Sequence, residues 1–147
     1  MEKTAMELTE ALQGLEQSFM SMEELTKAGE QGTLQVRHLP FDYDFEFQQM
    51  YPEHPMSGGR YQRIKAADTV RDISLDRKSP FPAEVLDYLH KSLFDCCSTV
   101  RLSIAEALTL AGDKSSIGHL ERLAGDENHS EMVMQQVETA LRQLRKL

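Results

Sequence analysis

Five histidines, at positions 38, 54, 90, 119 and 129, and two adjacent cysteines, Cys96 and Cys97, are the residues whose chemistry could go beyond packing. A helical zinc site needs two histidines one turn apart, with a glutamate between them when the metal activates water. No pair here has that spacing, and His119 and Glu121 do not share a helix face. Adjacent cysteines strain any ring they share, so Cys96 and Cys97 read as small buried hydrophobes. They supply no disulfide framework, which fits a reducing compartment and a cytoplasmic location. The expectation is a protein that is not an enzyme and holds no cofactor or metal.

Charge narrows the partners. The 147 residues carry 24 acids against 16 bases, a formal net charge of -8, where duplex DNA or an anionic membrane would reward a continuous basic face. Residues 1–59 are strongly acidic, whereas 60–78 hold Arg60, Arg63, Lys65, Arg71, Arg77 and Lys78 against three aspartates. Arg60, Arg63 and Arg71 lie near one another on a helical wheel and could form a basic ridge whose partners are the chain's own acids. No apolar run approaches the ~20 residues needed to cross a bilayer, and the acidic start lacks the regions of a signal peptide. Asn128-His129-Ser130 fits a glycosylation sequon and reads as chance in this context.

The elements that would position these groups are helical at both ends of the chain. Leu8, Leu12, Leu15, Phe19 and Met22 alternate at four and three residues, which predicts an amphipathic helix over 4–28, ended by Gly29 and Gly32. It could dock on the rest of the chain or build a homodimer. Phe41-Asp42-Tyr43-Asp44-Phe45-Glu46-Phe47 alternates strictly, so four aromatics share one side of an extended arm and three carboxylates the other. Four exposed rings would form a sticky patch, so that edge must be covered, in cis or by a partner.

From residue 60 the helical period returns, with Tyr61, Ile64, Ala67 and Val70 along one side. Pro80 and Pro82 precede a helix from Ala83 carrying Leu86, Leu89 and Leu93. Helices follow over 100–111, 117–124 and 130–147, separated by Gly112-Asp113 and Gly125-Asp126. Val100-Arg101-Leu102-Ser103-Ile104-Ala105-Glu106-Ala107-Leu108 is echoed 33 residues later by Val133-Met134-Gln135-Gln136-Val137-Glu138-Thr139-Ala140-Leu141. A period of this length marks a solenoid of helix pairs that bury their apolar faces by stacking.

Val100-Arg101, Ala105, Ala107-Leu108 and Ala111-Gly112-Asp113, followed by Ile117, Leu120 and Leu123, resemble a HEAT-like repeat of the phycobilin-lyase type over residues 80–147. The resemblance implies a fold more than an activity, because such repeats serve bilin lyases and assembly scaffolds alike. It also implies that Arg101 pairs with an acid near a turn, with Asp95 and Asp126 as candidates. Met134 replaces that arginine in the second copy, as a terminal unit allows. Deoxyhypusine hydroxylase, a HEAT-like di-iron enzyme, uses repeated His-Glu dipeptides, and this chain has none.

The sequence therefore predicts an all-α chain. Residues 1–30 form an amphipathic helix, 31–59 an extended arm, and 60–147 a short α-solenoid with a degenerate unit at 60–79 and clear units at 80–113 and 114–147. The expected function is a non-catalytic scaffold or adaptor for a protein partner, with no nucleic acid or membrane ligand. A tetrapyrrole lyase or chaperone is the enzymatic alternative, and a homodimeric structural protein a third. The expected contact surface is Arg101, Ser103, Glu106 and Gln136 on the second helices of the pairs, with Phe41, Tyr43, Phe45 and Phe47 of the arm as a second surface.

Overall fold

The fold follows from where each helix places its apolar stripe. In the computed structural model, residues 2–17, 19–24, 60–125 and 131–147 are described. Among them lie α1 (Glu2–Leu15), α2 (Arg60–Leu75), α3 (Ala83–Ser92), α4 (Ser98–Ala111), α5 (Ser115–Ala124) and α6 (Glu131–Leu144). An isolated bridge between Ser21 and Asp95 is the extended pairing found among the described residues, so the all-α expectation holds for them. None of these helices is long and apolar enough to cross a membrane. The arm with Phe41, Tyr43, Phe45 and Phe47 lies outside the described residues.

The buried positions of α2 are Arg63, Ala66, Ala67, Val70, Ile73 and Ser74, a run at helical spacing that turns one face inward. α6 does the same with Val133, Val137, Ala140, Leu141 and Leu144. α4 is covered on more of its circumference, burying Val100, Arg101, Ser103, Ile104, Ala105, Ala107, Leu108 and Ala111. That pattern suits a central helix, and α4 packs between α2 and α6. α1 packs on α2 and α5 on α6, while α3 touches α1, α4 and α5. The helices thus form two rows, α2–α4–α6 and α1–α3–α5, joined by contacts within each successive pair. One continuous apolar cluster runs from Ala11 and Leu15 to Leu144.

Local signals start and stop the elements. Pro82, at φ -59°, stands just before α3 and its carbonyl accepts the Val85 and Leu86 N–H groups at 3.0 Å each. Glu84 in the first turn of α3 and Lys91 in the last suit the helix dipole. Gly112 ends α4, where a Cβ would lie 2.6 Å from the Leu108 carbonyl oxygen. Gly14 lets α1 approach α2, since a Cβ there would meet that of Ala66 at 2.8 Å.

α1 ends at Leu15, short of the helix to residue 28 that the apolar spacing predicts. The chain beyond it is held by other partners. Arg63 Nη1 donates to the Gln17 carbonyl at 2.8 Å, the Cys96 N–H donates to the Met20 carbonyl at 2.9 Å, and the Met22 N–H donates to Phe94 at 2.8 Å. Phe19 and Met22, which continue the sequence stripe, belong to this segment alongside the α3–α4 connection.

Candidate functional site

At the junction of α2 with the α3–α4 connection, two arginines close on one aspartate, one on its carboxylate and one on its main-chain carbonyl. Arg63 comes from the first turns of α2 and Arg101 from the first turn of α4; both they and Asp95 are fully buried. Arg63 Nε donates to Asp95 Oδ2 at 2.8 Å, and Arg101 Nη1 donates to the Asp95 main-chain carbonyl at 2.9 Å. Asp95 Oδ1 accepts the Cys97 N–H at 2.9 Å, which sets the tight turn into α4. Burial pushes the Asp95 carboxyl up from its ordinary value, while Arg63, the Cys97 N–H and Arg101 pull the other way. Burial likewise pushes the Cys96 thiol up, with Asp95 adding to the effect.

This placement corrects two sequence expectations. Arg101, expected on a partner surface, is interior, and its predicted link to Asp95 is made through the main chain. Arg63, expected on a basic ridge, is also interior, because it occupies the apolar stripe of α2 at the spacing of Ala66, Ala67 and Val70. That spacing was the signal that could have found it. Cys96 and Cys97 are buried and unpaired by disulfide, as expected of small hydrophobes.

A polar surface runs across the α2–α4–α6 row. Ser103 Oγ donates to Asp68 Oδ1 at 2.8 Å, Arg71 lies 3.5 Å from Asp68 and 3.7 Å from Glu106, and Gln136 Nε2 donates to Thr109 Oγ1 at 2.9 Å. Arg71 and Glu106 remain about a third exposed, at 33% and 31%. Of the predicted contact residues, Glu106 and Gln136 are therefore on this surface, while Ser103 lies beneath it, 3% exposed. Asp68 and Arg71 join them, although the sequence reading placed neither in a contact surface.

On the other row, His90 and His119 stack with ring centroids 4.2 Å apart. A cleft of about 420 Å³ opens beside the α3 and α5 ends, lined by Phe19, Met22, Lys91, Phe94 and Arg122 among others. Lys91 Nζ sits 4.8 Å above the Phe19 ring and the Arg122 guanidinium 4.1 Å above that of Phe94, so two ring faces of the cleft are already covered by cations. Among the described residues no three His, Cys, Asp or Glu side chains gather as metal ligands. Comparison with protein-family models, curated proteins and solved structures gives no match.

Proposed function

We propose that this chain is a non-catalytic protein-interaction scaffold, built as a short solenoid of three HEAT-like helix pairs, α1 with α2, α3 with α4 and α5 with α6. The observation that carries this reading is the polar surface laid across the seams of one row. Asp68 and Ser103, Arg71 and Glu106, and Thr109 and Gln136 each join neighbouring helices. Side chains held in this way are ordered before a partner arrives, so less rotamer freedom is lost on binding. The resemblance over 80–147 supports the repeat assignment, and packing of α1 on α2 supplies the third pair that an array of this kind needs. Two free, buried cysteines are compatible with the cytoplasm.

Site-specific photocrosslinking in the source cells tests the surface. A crosslinking residue placed at Glu106 or Gln136 is expected to trap the same partner, and one at Glu84 or Glu121 on the other row is expected not to. Trapping from Glu84 and Glu121 alone, or from no position, would contradict the assignment.

A further inference from the structure

We propose that His90 and His119 form a pH-responsive clasp that holds the end of α3 to the start of α5 and releases it on acidification. His90 lies in the last turn of α3 and is only 6% exposed. Its Nε2 is 2.8 Å from Ser116 Oγ, a fully buried hydroxyl in the first turn of α5. One turn further along α5, the His119 ring stacks on that of His90 with an interplanar angle of 21°. Contact between α3 and α5 is slight beside the packing within the α2–α4–α6 row, and these three side chains lie at it.

The hydrogen bond to Ser116 can be made with a neutral ring. Ser116 Oγ accepts the Asp113 N–H at 3.4 Å and has one proton of its own to give. Directing that proton at His90 Nε2 satisfies both groups when Nε2 is bare and the ring proton is on Nδ1. Protonation of Nε2 turns that acceptor into a donor aimed at the hydroxyl, which must then rotate away. It also places a cation in a buried position against a second titratable ring.

The surrounding charges do not cancel these effects. Burial lowers the proton affinity of His90 first and His119 lowers it further, while Asp113 in the α4–α5 turn and Asp87 on α3 pull the other way. Other charged groups on or next to the elements packed against α3 are engaged elsewhere: Glu16 with Lys91, Arg101 with Asp95, Glu106 with Arg71, Glu121 with Arg145 and Arg122 over the Phe94 ring; Glu7 and Glu10 are exposed on α1. The closed form therefore binds a proton at His90 less readily than an opened form does. By linkage, closure is at full strength above the ordinary imidazole range and weakens as pH falls through it.

The test is imidazole NMR on the intact chain from pH 8 to 4.5, with amide protection factors measured at pH 7 and pH 5. Expected results are that His90 titrates below the ordinary histidine value, and that H119Q raises its midpoint by roughly half a unit to one unit through loss of a like charge. Protection at residues 88–92 and 115–120 should fall at least about tenfold more than in α2, α4 and α6. His90 titrating at or above the ordinary value in the unsubstituted chain overturns the clasp. So does an unmoved His90 midpoint in H119Q, or an equal loss of protection in both rows. If H119Q does not fold, the titration of the unsubstituted chain decides alone.

Discussion

Asp95 serves three groups at once: its carboxylate holds Arg63 and the Cys97 N–H, and its carbonyl holds Arg101. Removing ions from water is costly, and their attraction offsets the cost only while every partner is in place. Asp95→Ala leaves Arg63 buried without this carboxylate, and urea unfolding is expected to show a loss of about 3–5 kcal/mol. A loss under about 1 kcal/mol would mean that Asp95 organises little. The neighbouring thiols give a second test at this scale. With Cys96 and Cys97 fully buried and the Cys96 thiol raised by burial, neither should react with a thiol reagent in the native protein at pH 8, and both should react in denaturant. Rapid native labelling would show that this junction opens.

Single residues also show where the sequence was opaque. Arginine is ordinarily a surface residue, so Arg63 reads as part of a basic ridge although its spacing to Ala66, Ala67 and Val70 places it inside. Asp95 could be named, beside Asp126, as a partner for Arg101 because the repeat resemblance implies an acid near a turn. That its carboxylate serves another arginine depends on contact between residues 32 positions apart, which no local pattern encodes.

Elements were legible where period and punctuation agree. Pro82 and the leucines of α3, and the small-residue stripe and Gly112 of α4, place those helices within a residue or two of where they lie. α1 failed the same reading because Phe19 and Met22 keep the apolar spacing while the main chain of Met20 and Met22 pairs with Cys96 and Phe94. Two glycines set how closely elements approach. Gly14→Ala gains helix propensity, about 1 kcal/mol, but forces a Cβ against Ala66 at 2.8 Å. The net expectation is a destabilisation of up to about 2 kcal/mol, and pairing it with Ala66→Gly should restore stability. Gly112→Ala meets the Leu108 backbone oxygen at 2.6 Å, which cannot rotate aside, and should cost more than Gly14→Ala. Thermal melts of the three variants check this order, and an equal or stabilising effect at Gly112 would refute it.

Across the whole molecule, one apolar cluster includes residues from all six helices, which predicts a single cooperative transition. Loss of helicity by circular dichroism and exposure of the Cys96 and Cys97 thiols should share one midpoint. A helical array can instead unravel from an end, since each unit depends chiefly on its neighbours. Helicity lost well before the central thiols appear would indicate that behaviour. That the described residues are helical could be read from their apolar periods, but the place of α1 could not, because 44 residues separate its end from the start of α2.

The chain is moored where it leaves α1. Gln17 is tethered by Arg63, and residues 20–22 are fastened to 94–96. The end of α1 is thus held from two sides, by an arginine of α2 and by the α3–α4 connection, which fixes its register against both.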